Sequence, residues 1–513
     1  MSGYSIHLRA PNTHISQYLL GIFALFVMLY PITTEASPNI PLYDWKSDQV
    51  RRVLSLCQTG ISTATLPLRS DIVLSALKQA DDTDCVPAGT PLKVLMEDVI
   101  TVMEKEDQKS FAGAYRIRMQ LSDHPFNPDN SFGERIDKGL RSTFDIRLYG
   151  SLPYGLSYEF VPQLQVSRIG DENHSTGDIF IGYIKWTHKN IEIEGGRDTL
   201  WWGPGYHGNT TLTNNIEPLD LIKLSNVYPF HLPWIFRHLG NTNLMVFGSR
   251  LSSQTIRYID EGTEKIKKKP PYFLGIRGEL HPASYVHFGA SLASQFIGRN
   301  NSLNRISDWK AILLPSWEGN EGEGTEGPVA NRRYSYDFMI QTNRIPRILN
   351  SELYWEYGGE VGIISGALNI PFPKPQYINE VIGVYLDFGG ADLRLEVSAP
   401  FKNPLEGSIY SHGQFTEGYR HEGRIIGHHI GPGARDFFLR TTFLTKSRAI
   451  LGIDIDHEQH YIEDWSETII GTDVTLRKGP SRTYQLRYQW HDGNRDYGIR
   501  DIHYLALSLF YQF

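Results

Sequence analysis

Residues 156–166 read LSYEFVPQLQV, and this stretch decides the fold of the chain. Its odd positions are mostly polar and its even positions are mostly apolar, which is the period-two pattern of a β-strand. Residues 115–121, 392–397 and 484–490 alternate in the same way. Strands of a soluble β-sandwich usually have about five or six residues, whereas strands of an outer-membrane β-barrel run to about ten. An aromatic and aliphatic face opposite a face of Arg, Glu and Gln therefore predicts a transmembrane β-barrel.

Connection lengths test this fold independently, because short turns and long loops alternate in such a barrel. Long connections are predicted at about 122–139, 168–176, 198–221, 251–271, 298–333, 360–378, 401–434, 458–465 and 492–501. The connections between them are short turns near Pro153, His188–Asn190, Pro282–Ser284, Gly389–Gly390, Lys446–Ser447 and Gly479–Pro480, with two longer ones at 230–241 and 343–350. We predict a mainly β fold with about eighteen antiparallel strands, within two, an even number as bacterial barrels require.

The end of the chain is a further amphipathic strand. Residues 503–513 place one apolar set on a single face, namely Leu505, Leu507, Leu509, Tyr511 and Phe513. We expect Tyr511 and Phe513 to form the assembly signal that the outer-membrane insertion machinery reads. A buried last strand of a soluble domain is the alternative for this feature taken alone.

The start of the chain has the pattern of an export signal. Residues 18–30 (YLLGIFALFVMLY) form one apolar run, and Thr34 and Ala36 suit the small-residue positions of signal peptidase cleavage. We predict a cleaved signal peptide over residues 1–36. An uncleaved membrane anchor is the alternative, although the run is short for a hydrocarbon core about 30 Å thick.

Residues 47–107 have helical spacing of apolar residues, and Ser47, Ser70 and Thr90 each stand where an N-cap would. We predict a periplasmic helical domain over 37–110 and the barrel over 111–513. Cys57 and Cys85 fall inside the helical part of an exported chain, where an oxidising compartment favours a disulfide. Two free thiols are the alternative.

Composition excludes several classes of protein. Hydrophobic residues make up 40% of the 513 positions, too few for a bundle of membrane-spanning helices. The net charge is -7, and the only basic cluster lies at 265–269, so we expect no nucleic-acid partner. We also expect no cofactor and a monomer embedded in outer-membrane lipids.

The first loop with unusual chemistry is 195–208, GGRDTLWWGPGYHG. Gly and Pro allow a tight backbone, and flat aromatic faces beside polar groups match the C–H face and the hydroxyl edges of a sugar. We take as glycan-binding candidates Arg197, Trp201, Trp202, Tyr206 and His207. The alternative is that the paired Trp residues pack the loop onto the barrel rim or lie in the aromatic belt.

The second such loop is 410–436, which concentrates Arg, His, Tyr and Gly. Arg420 and Arg424 are candidates to hold carboxylates or hydroxyl groups of a polysaccharide, Tyr419 to stack on a sugar, and His428 to contribute polar contacts. A loop-closing network between these Arg residues and acidic residues of the barrel wall is the alternative.

Enzymatic motifs are missing from the sequence. There is no G-x-S-x-G, and HEQH at 457–460 is one residue short of H-E-x-x-H. It continues a β-alternating run, where His457 and His460 point to opposite faces, so we expect neither a catalytic nor a metal site. Catalysis at the barrel rim and a diffusion porin are the alternatives to binding, but a porin needs no helical domain beneath its pore.

The segments GRDTLWWGPG at 196–205, NRRYSYDF at 331–338 and GYRHEGRIIGHHIGPGARD at 418–436 resemble the Wzi-type capsule assembly proteins of Gram-negative outer membranes. The resemblance covers essentially the whole mature chain. It implies an eighteen-stranded barrel, a periplasmic helical bundle that closes one end, and a lectin-like role in attaching capsular or exopolysaccharide to the cell surface. The acidic stretch EGNEGEGTE at 318–326 departs from the family. No binding residue is carried over from the family, so the candidates above rest on their chemistry.

Overall fold

The computed structural model describes residues 36–107, 109–169, 172–260, 263–297, 309, 312–313, 329–343, 345–365, 371–400, 409–479, 481–493 and 501–513. The predicted signal peptide lies outside the described residues except for Ala36, and so does the acidic stretch 318–326.

Eighteen antiparallel strands close into one barrel, which confirms the predicted fold and strand number. They are β1 (Ala112–Ser122), β2 (Gly139–Leu152), β3 (Leu156–Ile169), β4 (Glu172–His188), β5 (Ile191–Asp198), β6 (Leu219–Asn226), β7 (Asn241–Arg250), β8 (Tyr272–Ala283), β9 (Val286–Ile297), β10 (Val329–Thr342), β11 (Asn350–Ser365), β12 (Pro371–Asp387), β13 (Ala391–Pro400), β14 (Ala434–Leu444), β15 (Ala449–His460), β16 (Trp465–Lys478), β17 (Arg482–Gly493) and β18 (Asp501–Gln512). The first strand pairs with the last, from Ala114 opposite Gln512 to Ser122 opposite Tyr504.

The two faces of each strand differ as the alternation predicts. In β15, Asp456 and Glu458 are buried inside the barrel, whereas Ile453 and Ile455 on the other face are 45% and 36% exposed. His457 and His460 lie on opposite faces, also as predicted. Exposed aliphatic and aromatic side chains of this kind suit a lipid environment. Among the described residues, no helix has the length and hydropathy of a membrane span.

Long loops and short turns lie at opposite ends of the barrel. At the long-loop end, Gln254–Asp260 and Thr263–Lys269 form a hairpin between β7 and β8. At the short-turn end, β2 and β3 are joined by a 3-10 turn, Pro153–Gly155. The longer connection between β6 and β7 on that side holds a 3-10 helix, Trp234–Leu239.

Within the described residues, three helices precede the barrel: α1 (Lys46–Leu56), α2 (Ser70–Asp82) and α3 (Pro91–Asp107). Thr90 caps α3, because its hydroxyl accepts the Lys93 N–H at 3.3 Å. The predictions for the other two caps are wrong. Ser47 lies inside α1, where the Asp44 carboxylate accepts the Lys46 N–H instead, and Ser70 is the first residue of α2, preceded by an extended Arg69 without a side-chain cap.

The helices pack together and cover the short-turn end of the barrel. Their apolar core is continuous with Leu444 and Ile450, which flank the β14–β15 turn. Cys57 and Cys85 form a disulfide in this core, with Cα atoms 5.5 Å apart.

A buried ion-pair group ties the helices to the barrel wall. Arg52 of α1 bonds Asp387 at 2.6 Å and Asp392 at 2.8 Å, and all three side chains are buried at the β12–β13 turn. Such a group is costly to break, since removal of one member leaves a buried charge unpaired.

Candidate functional site

The loop between β5 and β6, residues 199–218, folds into the barrel and meets the N-terminal segment there. Trp201 and Trp202 pair as a short strand with Thr65 and Leu66. The Gly203 N–H also donates to the Ala64 carbonyl at 2.8 Å. The Gly-Pro-Gly sequence thus allows a compact insertion into the lumen rather than a projecting tip.

Trp201 and Trp202, both predicted to contact a glycan, are buried. Trp202 is 0% exposed and packs edge-on against Phe247, with ring centroids 5.2 Å apart. Trp201 is 4% exposed, and its indole N–H donates to the Gly205 carbonyl at 3.1 Å. Neither ring offers a face to a glycan in this conformation, so the geometry favours the packing alternative for this pair.

Tyr419 belongs to the same packed region. Its ring lies parallel to that of Tyr410, its hydroxyl donates to the Thr211 carbonyl at 2.9 Å, and none of its surface is exposed. The Arg333 guanidinium lies 4.2 Å from the Tyr410 ring centroid and 5.3 Å from that of Tyr419. A cation over two aromatic faces stabilises loop packing and leaves no free stacking surface.

Arg420 and Arg424 make loop-closing contacts. Arg424 is buried and donates to the carbonyls of Pro128 and Glu134, the first at 3.3 Å. Arg420 donates to the Gly423 carbonyl at 3.1 Å. These contacts, made to backbone carbonyls, join the loop 409–433 to itself and to the loop after β1.

Tyr206 and His207 line a cavity of about 440 Å³ above the helices. The Tyr206 hydroxyl donates to Asp48 of α1 at 3.1 Å. The His207 ring stacks on Phe438, and its Nε2 lies 2.9 Å from Asp456. His428 is fully buried beside this group, so it faces other protein groups rather than the open lumen.

Arg197 lies on a larger cavity of about 880 Å³. This cavity adjoins the first one and shares Arg118, Phe132 and Glu134 with it. We call this the open cavity. Five arginines line it: Arg116, Arg118, Arg135, Arg141 and Arg197. Its wall is formed by β1 to β5, β17 and β18, together with the loops after β1 and β5.

Carboxylates hold these arginines in place. Arg197 bonds Glu217 at 3.1 Å, and Glu134 bonds both Arg118 at 2.9 Å and Arg141 at 3.2 Å. Burial raises the pKa of Glu217 above its ordinary value, while neighbouring Arg197 opposes the shift. The arrangement presents fixed cationic donors next to anionic acceptors.

Aromatic rings form an apolar patch on the same cavity. Tyr43, Phe132 and Phe180 pack in tilted and edge-on contacts, with ring centroids 5.3 to 6.3 Å apart. Phe510 of β18 completes the lining. These residues come from distant parts of the chain, so no local motif could have found them. In the sequence, this cavity was signalled by the alternation of Arg116 and Arg118 with apolar residues and by Arg197 of the 195–208 segment.

Comparison with known proteins gives a family and a fold. Residues 104–493 match the model of the family described as capsule assembly protein Wzi. A search of the curated proteins finds no match. Among solved structures, the chain is similar to one described as Wzi, an outer-membrane protein involved in group 1 capsule assembly in Escherichia coli and a carbohydrate-binding β-barrel. The two share 14% identity and a TM-score of 0.66 over 93% of this chain and 99% of that one.

Two further solved structures are more weakly similar. OccAB2 of Acinetobacter baumannii has 10% identity and a TM-score of 0.47 over 80% of this chain and 99% of that one. OpdL of Pseudomonas aeruginosa has 13% identity and a TM-score of 0.42 over 79% of this chain and 98% of that one. The family match spans well over half of the chain, from the end of α3 through β17. The chain belongs to the Wzi family of capsule assembly proteins.

Proposed function

We propose that this outer-membrane barrel is a lectin-like protein that binds capsular or exopolysaccharide and anchors it at the cell surface. Its family supports this role, since the E. coli Wzi barrel is described as carbohydrate-binding and as involved in capsule assembly. We propose a monomer, with its apolar outer face in outer-membrane lipid and its helices, residues 37–110, on the periplasmic side. The long loops then face the cell exterior.

The open cavity is the observation that carries the proposal. Its volume of about 880 Å³ falls in the range of ligand pockets. Its lining combines aromatic rings with Arg, Gln, Ser and carboxylate groups, which is the chemistry that sugar rings and hydroxyl groups require. We propose that a segment of polysaccharide lies in this cavity.

Arg197 is the sequence candidate that best fits this binding mode. Its side chain is partly exposed at the cavity wall, and the Arg197–Glu217 pair offers both a charged donor and an acceptor to a glycan. Tyr206 and His207 line the neighbouring cavity and serve as secondary candidates. We assign to Trp201, Trp202, Tyr419, Arg420, Arg424 and His428 the task of holding the loops that shape both cavities.

The test is polysaccharide retention by cells that lack their own copy of the gene and produce variants of this protein. Arg197→Ala should release polymer into the medium while the amount of folded barrel stays unchanged. Arg257→Ala is the matched control, because Arg257 is exposed on the extracellular hairpin and does not line the open cavity.

A pull-down with purified polysaccharide then separates direct binding from other causes of polymer loss. Equal retention by Arg197→Ala and the wild type, with no binding of polysaccharide to the purified wild type, would contradict the proposal. Stable single-channel conductance in that case would favour the porin alternative. Turnover of an ester, lipid or peptide substrate would favour catalysis at the barrel rim.

We further propose that Tyr511 and Phe513 serve as the assembly signal for the insertion machinery. Tyr511 stacks on Tyr115 across the β1–β18 seam, and the Phe513 N–H donates to the Gly113 carbonyl at 2.9 Å. Deletion of Phe513 should slow insertion, so heat-modifiable gel mobility should appear later than in the wild type. Unchanged insertion kinetics would contradict this role.

A further inference from the structure

A cluster of histidines and carboxylates lies between the loops and the barrel wall, outside the open cavity. Its histidines come from the loops 199–218 and 409–433, and its carboxylates from the inner faces of β14 and β15 and from the loop after β1. Two overlapping sets have ligand atoms within 4.8 Å of one another: His207, His429 and Asp436, and then Asp129, His429, Asp456 and Glu458.

The distances converge on one carboxylate. Asp436 Oδ2 lies 3.8 Å from Nε2 of His207, 3.7 Å from that of His428 and 3.6 Å from that of His429. These separations are too long for hydrogen bonds. Two ligands of a tetrahedral Zn²⁺ ion with bonds of about 2.0–2.1 Å lie roughly 3.3 Å apart, so small side-chain shifts would place these atoms around a shared ion.

Unsatisfied buried groups are the second observation. His428 is fully buried with Nε2 directed at Asp436, yet neither of its ring nitrogens has a hydrogen-bond partner among the described residues. Asp436 Oδ1 has none either within the described chain. A buried polar atom without a partner is costly, and a cation bound at Asp436 would balance the charge of the carboxylate that His428 faces.

The negative charges of the buried carboxylates also favour a bound cation. Within the described residues, the ion-pair partners of Asp436 and Asp456 are histidines, and neither carboxylate pairs with Lys or Arg. Buried carboxylates require a cation or a metal. The His428 ring also occupies the space that a Cβ atom at position 208 would need, so Gly208 allows the two loops to meet here.

We propose that this cluster binds one divalent transition-metal ion, Zn²⁺ by preference, through His207, His429 and Asp436. Imidazole nitrogen beside carboxylate oxygen suits Zn²⁺ better than Ca²⁺ or Mg²⁺, which prefer oxygen ligands alone. Asp129, Asp456 and Glu458 lie around the ion, and the cavity of about 440 Å³ gives it an access route past His207. The ion ties both loops to the wall, and the proposal does not depend on glycan binding.

The first measurement uses the full-length wild type, purified in detergent without a polyhistidine tag. After incubation with Zn²⁺ and extensive dialysis, elemental analysis should find about one zinc per chain. Zn²⁺ should raise the unfolding temperature, EDTA should lower it, and the same concentration of Ca²⁺ should leave it unchanged. A wild type without bound zinc and without any zinc-dependent shift would overturn the proposal.

Variants then locate the ion. His429→Gln and Asp436→Asn should each weaken zinc binding at least about tenfold, while heat-modifiable mobility reports that the barrel has folded. His457→Gln is the matched control, because His457 is exposed on the outer face of β15. The double variant combines His429→Gln and Asp436→Asn. If it folds and binds zinc as well as His457→Gln does, the metal lies elsewhere and the assignment is overturned. If the double variant fails to fold, the wild-type measurement decides alone.

Discussion

The lumen has two sides that share a loop but differ in packing: one is a buried core, and the other borders a cavity. On one side, which we call the packed side, Trp202, Phe247 and Tyr419 belong to a continuous buried core. On the other side, Arg197 and four further arginines surround the open cavity. The loop 199–218 and the strand that leads into it contribute to both, since Arg197 and Trp202 are only five positions apart in the sequence.

The difference shows that aromatic residues in a Gly-rich loop need not form a binding surface. Where loops fill the lumen of a barrel, large rings provide the most buried area per residue. Groups that stay available to a ligand are those that cannot be buried without a charged partner, such as arginines paired with carboxylates. The charged side of the lumen is therefore the better candidate for recognition.

Of the changes that test the difference between the two sides, Trp202→Ala should lower the unfolding free energy most. Removal of the fully buried indole leaves a cavity on the packed side and should cost about 3–5 kcal/mol of unfolding free energy. Thermal unfolding in detergent measures the change. Trp234→Ala should be nearly neutral, because Trp234 is 86% exposed at the short-turn end. Equal stability of the two variants would mean that the packed side carries little of the fold.

Loss of the disulfide should destabilise the helices and, through Thr65–Leu66, their contact with the packed side. In the chain-entropy model, cross-linking across 28 residues stabilises the helical segment by about 3–4 kcal/mol. Replacing both Cys57 and Cys85 by Ser should therefore speed amide exchange in the helices and at Thr65–Leu66, with no change in β15. If the amides of the helices exchange equally slowly in the variant and the wild type, packing alone holds the helices.

Tyr419→Phe tests a single hydrogen bond on the packed side. The ring stays, but the buried Thr211 carbonyl loses the Tyr419 hydroxyl as its donor, which should cost about 1–3 kcal/mol. Chemical denaturation in detergent measures it. Tyr285→Phe is a control, because Tyr285 is 48% exposed.

Arg197→Ala should change stability far less than it changes polymer retention. Its ion pair with Glu217 is partly exposed, so its loss should cost at most about 1 kcal/mol. The same thermal unfolding assay applies. A loss as large as that of Trp202→Ala would remove the distinction between the two sides of the lumen.

Mild acid should loosen one loop contact, which is the most local effect that we expect. The Nδ1 atom of His421 accepts the Ser252 N–H at 2.9 Å, and only a neutral ring with an unprotonated Nδ1 can do so. Burial, with a smaller contribution from Arg197, lowers the pKa of His421 to about 4, below its ordinary value of 6.5. The contribution of this contact to stability is thus fully present above about pH 6.5 and decreases as the pH falls towards 4.

Amide exchange at Ser252, corrected for the intrinsic rate, should therefore increase between pH 7 and pH 5. In His421→Gln, this pH dependence should disappear. An increase of the same size in that variant would assign the effect to another group.

The sequence predicted the barrel well because each strand carries its own signal. In β15, alternation alone separates inward Asp456 from outward Ile455. The packing of the lumen could not be predicted in this way. Whether Trp202 is buried depends on Leu66, Phe247 and other residues far away in the sequence. The His207–His429–Asp436 cluster likewise has no local spacing motif, and only folding brings it together.

The seam between β1 and β18 has a consequence for biogenesis. Because Ala114 pairs with Gln512, the barrel cannot close until strand β18 has been made and exported. A nascent or truncated chain would present two open sheet edges, and such edges recruit other strands and aggregate. Closure by β18 thus makes export of that strand a condition for a barrel without open edges.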